Sequence, residues 1–488
     1  MPFNSFAFAI FLSIVFILYW FLFSKNFKSQ NLLILLASYF FYGWWSKKFL
    51  LLLVLSTVLD YFYGFGVDSI NKKKSKLFLW LSIINNLGIL GIFKYYDFFA
   101  LEFQAGFKLV GIRIDPILLQ VALPIGISFY TFHGMSYVFD IYRSLRKPVT
   151  NFVDYAVFVC FFPLLVAGPI ERSNHLLPQV QSTRYFNYNQ SAEGCRLILW
   201  GLFKKVVIAD SLSVIVESCF KEYPNQDSYT LIIAAISFSI QIYCDFSGYS
   251  DIAIGTAKLF GFELLSNFKY PYFSRDIAEF WRRWHISLTS WFRDYLYIPL
   301  GGSKEGKFKT VRNIFIVFLV SGFWHGANWN FIVWGVIHAC GFLALFLLNR
   351  NRKHVSSVVA ANSKLPSIKE LFQMILTFVF VTFAWIFFRA HSVRSGFSFV
   401  KRIIINGWQN PNQFLHPERY LIYPIEKSAI FYIIPFIAID WCFRRDERSL
   451  IILKKFKNLR VSVYIFIIIL ILYFSVKQSH QQFIYFQF

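Results

Sequence analysis

The stretch that decides the fold is Asn313-Ile-Phe-Ile-Val-Phe-Leu-Val-Ser-Gly322-Phe-Trp-His325-Gly-Ala-Asn-Trp-Asn330, which runs on without a charge through His338 to Asn349. As one straight helix these 37 residues would be roughly 55 Å long, against a bilayer core of about 30 Å. The segment has to bend, break or cross twice. The natural place is Gly322–Asn330, where Gly322 and Gly326 bracket His325. Gly-x-x-x-Gly is also a spacing at which membrane helices approach closely. Close approach alone does not call for His or Asn between the glycines.

Upstream lies Glu279-Phe-Trp-Arg-Arg-Trp-His285-Ile-Ser-Leu-Thr-Ser-Trp-Phe-Arg-Asp-Tyr-Leu-Tyr-Ile-Pro-Leu-Gly-Gly302, followed by a basic loop from Lys304 to Arg312. Taken as one helix, Trp281, Trp284, Leu288, Trp291 and Phe292 fall on one face and Arg283, Ser287, Ser290 and Asp294 on the other. His285 goes with the aromatics. Such a helix suits the membrane surface, with tryptophans at headgroup level. An imidazole on its apolar side needs a buried partner.

The remaining composition agrees. Of 488 residues 57% are hydrophobic, 21% aromatic and 15% charged, too apolar for the surface of a soluble protein of this size. Uncharged runs of spanning or near-spanning length recur, among them Phe3–Phe23, Leu77–Phe93, Pro116–Phe139, Tyr229–Cys244 and Leu371–Phe388. The reading is an all-α polytopic membrane protein with about ten to thirteen membrane-inserted helices, some broken or re-entrant. Residues 1–488 read as a single transmembrane domain with its core at about 116–345 and C-terminal spans over 371–476. Phe3–Phe23 lacks the basic start and cleavage site of a signal peptide and reads as a retained first span.

The net charge of +23 resides in short loops between apolar runs. That is the pattern of topology set by the positive-inside rule and of contact with anionic lipid heads, and nucleic acid is not the expected partner. The strongest cluster is Arg444, Arg445, Arg448, Lys454, Lys455, Lys457 and Arg460, placed in the cytoplasm; Arg389–Arg402 then falls outside despite its charge. The six cysteines are scattered without a C-x-x-C pair and read as packing residues.

A histidine at a break inside the bilayer can face a cavity while its surroundings stay dry. Desolvation then keeps the ring neutral and able to accept a proton. His325 suits a general base for a hydroxyl attacking a thioester, with Asn328, Trp324 or freed backbone amides as oxyanion donors. His338, 13 residues on, points about 220° away along a continuous helix and reads as structural. Asp60 stands beside Tyr61 and Tyr63, as a hydrogen-bonded acid or a functional one. His133 follows the helix-breaking Pro124 and Gly126 and reads as a satisfied core histidine. Asp245 and Asp251, around Ser247-Gly248, read as helix caps, since a metal site would need further ligands.

Five blocks together resemble the membrane-bound O-acyltransferase (MBOAT) family, and within it the alginate O-acetyltransferase branch. They are Gly168-Pro-Ile-Glu-Arg172, Gln241-Ile-Tyr-Cys-Asp-Phe-Ser-Gly-Tyr-Ser-Asp251, Phe280 to Gly302, Phe323-Trp-His-Gly-Ala-Asn-Trp329 and Trp385-Ile-Phe-Phe-Arg-Ala390. The resemblance implies a ring of helices around a thinned centre, with a tunnel joining the two membrane faces. It implies His325 as the catalytic histidine and His285 as the second tunnel histidine. Trp281, Arg282, Trp284, Trp324, Asn328 and Asp245 are the accompanying tunnel or oxyanion candidates. No bound cofactor or metal is expected. The acyl donor, acetyl-CoA or an acylated carrier protein, is a substrate on the cytoplasmic side. The acceptor is an exported polysaccharide, often reached with a periplasmic SGNH-type partner, and the expected location is the bacterial inner membrane. D-alanyl-transferring relatives share much of the pattern. A polymer or lipid transporter and a silent export scaffold are the competing classes, and the absence of an internal repeat counts against the first.

Overall fold

The computed structural model describes residues 1–166, 168–355, 357–409, 411, 424–446, 457–477 and 483–484. Among them every regular element is a helix. The chain divides into two compact units, Met1–Cys195 with Ala253–Leu265, and Arg196–Ile252 with Ser266–Phe488.

In the first unit, α1 (Phe6–Ile17), α2 (Phe27–Gly43), α3 (Lys47–Val67) and α4 (Lys72–Leu90) follow one another over short turns, and α4 continues through a π-helical stretch, Gly91–Tyr95, into α5 (Tyr96–Leu109). Ser5, Asn26, Ser46 and Asn71 cap α1 to α4. Then come α6 (Ile127–Tyr142), α7 (Phe152–Cys160), α8 (Phe162–Leu165) and α9 (Ser173–Val180). The run Pro116–Phe139 is therefore not one span: no helix forms before Ile127, and α6 starts on Gly126 in the left-handed region. A Cβ there would also stand 1.9 Å from the Leu165 carbonyl oxygen, so position 126 admits only glycine.

Asp60 is buried inside α3 and accepts hydrogen bonds from Ser82 Oγ at 2.7 Å and Asn86 Nδ2 at 2.9 Å. It is a hydrogen-bonded acid in the interior of the helix. His133 is buried in the core, and its Nε2 accepts from the Glu171 amide at 3.1 Å. Glu171 in turn accepts from the Leu265 amide and lies 2.6 Å from His175 Nδ1.

In α10 (Tyr188–Leu202) the chain passes into the second unit, followed by α11 (Asp210–Lys221) and α12 (Ser228–Leu259). The helix end expected after Cys244 is absent: α12 runs 32 residues, and Asp245 and Asp251 lie inside it. They are held by cations instead of capping anything. Lys205 Nζ lies 2.7 Å from Asp245 and 2.8 Å from Asp210, and Lys204 Nζ lies 2.7 Å from Asp251. Gly248 is in the helix because the Gly201 carbonyl stands 2.8 Å from where its Cβ would be.

The short helices α13 (Ile277–Arg283) and α14 (Ile286–Phe292) precede the long pair α15 (Lys307–His325) and α16 (Trp329–Leu347). The uncharged run breaks where length required, at Gly326–Asn328. Each arm has 19 residues, about 28 Å of helix. A Cβ on Gly322 would stand 2.3 Å from the Phe331 carbonyl oxygen and one on Gly335 2.5 Å from that of Phe318. Phe318 facing Gly335 and Gly322 facing Phe331 is the register of an antiparallel hairpin in backbone contact.

The chain closes with α17 (Ile368–Arg389), α18 (Val393–Gln409), α19 (Pro424–Phe443) and α20 (Lys457–Lys477). A capping box of Ser367 and Glu370 starts α17. Arg448, Lys454 and Lys455 of the expected cytoplasmic cluster lie outside the described residues. Among the described residues five helices are long and apolar enough to cross a membrane: α3, the run Lys72–Leu109, α12, α16 and α17. Shorter apolar helices lie at Phe6–Leu22, Tyr432–Phe443 and Arg460–Val476.

The hairpin contact is directly testable. Gly322→Ala forces the two backbones apart and is expected to cost about 1–3 kcal/mol, read as a lowered Tm of the purified protein in detergent. Gly88→Ala, where nothing lies within 4 Å of the added carbon, is expected to leave Tm unlowered.

Candidate active site

The expected helix over 279–294 is interrupted at two residues. Trp284 leaves α13 in an extended conformation, and His285 takes φ 43°, ψ 54°, the left-handed region. For a residue with a Cβ this costs about 1–2 kcal/mol, so neighbours must impose it. They are on the strand of chain just before: Lys269 N donates to Arg283 O at 3.0 Å, and Ile286 N donates to Asn267 O at 2.9 Å. Ser287 Oγ adds a bond to Asn267 Oδ1 at 2.5 Å. The break turns His285 inward, where it is 1% exposed and packs edge-on to Phe246 at 4.6 Å. The two half-helices are too short to span a bilayer.

His325 ends α15 at the other break and is 6% exposed. Its ring sits edge-on to Trp334 at 5.1 Å and to Phe388 at 5.3 Å, and 4.9 Å from Trp324. Trp324 is also 6.2 Å from His285. One indole thus stands between the two imidazoles that the sequence singled out. Trp284 lies alongside, 5.1 Å from Trp385, which stacks on Trp334 at 5.6 Å.

The other candidates are placed differently. Asn328 is the N-cap of α16, and its amide donates to His391 O at 3.2 Å. Asn330, not singled out from sequence, ties the break to the end of α17 through Phe387 O and Ala390 O. Asp245 is engaged with Lys205 and accepts from the Ile484 amide at 2.7 Å. Arg282 donates to Asn351 O and His354 O and lines a cavity. His338 was set aside on an angle that holds only along a continuous helix. With the chain folded back, its ring is 4.9 Å from Trp334 and 5.0 Å from Trp281. The Trp334-x-x-x-His338 spacing on one helical face was the available signal.

The cavity has a volume of about 1250 Å³. Of its lining residues Lys269, Arg283, Arg293, Arg352 and Arg445 are half-buried or exposed and form the mouth, while the buried Trp281, Phe318 and Ser321 form the inner wall. Ser321 and His325 are one turn apart on the same face of α15. A buried ladder shapes the mouth: Glu279 is 1% exposed and receives Arg275 Nε at 3.0 Å and Arg283 Nη2 at 2.9 Å, while Arg275 also reaches Glu370 at 3.3 Å. Among the described residues no group of three His, Cys, Asp or Glu side chains could hold a metal ion.

Membrane-length helices together with buried imidazoles and a basic cavity define a multi-pass membrane protein with an internal polar site. The sequence model of the membrane-bound O-acyltransferase family matches residues 34–358, which include both histidines and the whole hairpin. The chain belongs to that family. The protein named probable alginate O-acetylase AlgI in Pseudomonas syringae pv. tomato is 40% identical over 340 residues, 69% of this chain and 62% of that protein. The peptidoglycan O-acetyltransferase of Helicobacter pylori is 36% identical over 380 residues, 72% of this chain and 69% of that protein. The teichoic acid D-alanyltransferase of Bacillus subtilis is 27% identical over 276 residues, 54% of this chain and 68% of that protein. The match thus spans a little under two thirds of the first relative's length.

Trp324 is the element on which the site's packing turns. Trp324→Ala leaves a hole between the two imidazoles and is expected to cost about 3–5 kcal/mol, whereas Trp324→Phe is expected to cost less than half of that. Thermal unfolding of the two variants side by side checks the ordering.

Proposed function

We propose that this chain is an O-acyltransferase of the bacterial inner membrane that moves an acyl group from a thioester to a hydroxyl of an exported polysaccharide or of a periplasmic SGNH-type partner. The observation that carries the reading is the position of His325: it ends a helix inside an aromatic cage, one helical turn beyond Ser321, which lines the cavity although His325 itself does not. Acetyl is the favoured group, because the two O-acetyl-transferring relatives are closer in sequence than the D-alanyl one.

In the proposed step His325 takes the proton of the acceptor hydroxyl as its oxygen attacks the thioester carbonyl. The tetrahedral intermediate collapses with cleavage of the carbon–sulfur bond. The leaving thiolate takes the proton from the imidazolium, so ester and free thiol are formed and the histidine is restored. Base catalysis of this kind contributes typically 10²–10⁴-fold. A base works best with a pKa near the operating pH; that role falls to His325, and His285 is left as the second histidine of the site. The basic mouth favours a donor that carries phosphate, which both a coenzyme A ester and a phosphopantetheine arm do.

His325→Ala is expected to lower ester formation by at least about 10²-fold while the protein still accumulates in the membrane. Mass spectrometry of the cell-surface polymer beside quantitation of the membrane fraction checks this, and undiminished esterification excludes the mechanism. The same polymer measurement separates the transporter and scaffold readings, which predict no dependence of ester content on position 325. For the mouth, Arg293→Ala combined with Arg352→Ala is expected to raise KM for acetyl-CoA about tenfold with little change in kcat, the loss of charge-assisted phosphate contacts. Initial rates against donor concentration read out the split.

A further inference from the structure

Helices α13 and α16 bring together three polar groups that ordinary core packing does not need. His338 is fully buried on α16, surrounded by Phe280, Trp281, Phe318, Trp334, Phe380 and Trp385. Among the described residues neither of its ring nitrogens has a hydrogen-bonding partner, and the same holds for the indole N–H groups of Trp281 and Trp334, the two rings nearest to it. Buried polar atoms in folded proteins are nearly always paired, and leaving them unpaired is costly. The three phenylalanines around His338 provide the same apolar packing without that cost. An imidazole and two indoles at this spot are therefore a provision for something polar.

The surroundings say what kind of group it is. Trp281 and Phe318 form the inner wall of the basic cavity, and both touch His338, at 5.0 and 6.4 Å between ring centres. On its other side His338 touches Trp334, which touches His325. The niche thus lies directly behind the Trp281–Phe318 part of the cavity wall, and within two ring contacts of the proposed base. Indole N–H groups only donate, so two of the three groups call for an acceptor. The niche has no charged side chain among its ring neighbours, which suits a neutral acceptor.

We infer that Trp281, Trp334 and His338 form a binding niche for the carbonyl oxygen of the acyl thioester. This inference rests on the donor reading above and adds to it a place for the acyl group. It makes His338 a positioning residue, acting on the donor and not on the acceptor hydroxyl.

The test compares acetyl-CoA with S-ethyl-CoA, the thioether that keeps every donor feature except the carbonyl oxygen. Binding of each is measured by calorimetry to the full-length protein in detergent, for the native chain and for His338→Phe. The native protein is expected to bind acetyl-CoA about tenfold more tightly than the thioether, the effect of about one hydrogen bond. His338→Phe is expected to abolish that difference while its affinity for the thioether stays at the native value, which also reports an intact cavity. If His338→Phe does not fold, Trp334→Phe removes a single N–H and is expected to narrow the difference in the same way. Discrimination that survives in the folded variant overturns the niche and leaves the donor reading standing. A native protein that binds neither compound overturns the donor reading itself, and the niche with it.

Discussion

The site depends on two places where one helix backbone meets another with nothing between them. At Gly322 and at Gly335 the carbonyl oxygens of Phe331 and Phe318 occupy the volume a methyl group would take. This locks α15 to α16 in one register. Everything that matters at the turn follows from that register: Asn328 caps the returning helix, Asn330 fastens it to the end of α17, and His325 is left as the last residue of the outgoing helix. Had the run crossed once as a continuous helix, His325 and His338 would have pointed to different sides. Folded back, they share Trp334.

The second imidazole is placed by strain rather than by periodicity. His285 occupies a backbone region that few residues with side chains accept, and it stays there because Asn267 and Lys269 hold the chain on both sides of it. The Arg275–Glu279–Arg283 ladder anchors the half-helix that leads into the break, and through Glu370 it is tied to the first turn of α17. Charge at the cavity mouth and geometry at the histidines therefore share supports. Substitutions in the ladder act on both.

How much of this was legible in the sequence follows from which kind of signal each feature carries. The break at 326–328 was, because arithmetic on 37 uncharged residues against about 30 Å of bilayer admits no straight helix. The break at His285 was not: Trp281, Trp284, Leu288 and Trp291 fit one helical face well, and a single left-handed residue leaves that spacing undisturbed. Asp245 and Asp251 were misjudged as caps because their partners, Lys204 and Lys205, are some forty residues away in sequence and adjoin them only once α12 packs near Gly201. His338 was lost to an angle computed for a helix that turns out to be two. Family membership was carried by the long Trp-His block. The acceptor leaves no comparable mark, since a polymer hydroxyl needs no charged or metal-binding pattern.

The central claim is that the donor's reactive end comes to the turn of the α15–α16 hairpin through the basic cavity. A cryo-electron-microscopy map of the full-length protein in a lipid nanodisc, with S-ethyl-CoA bound, tests it most directly. The account predicts ligand density entering among Arg283, Arg293 and Arg352 and ending at Trp281 and Ser321, with His285 and His325 on either side of the Trp324 indole. Density that binds elsewhere, or an unbroken helix through position 285 that carries its imidazole away from Trp324, would contradict it.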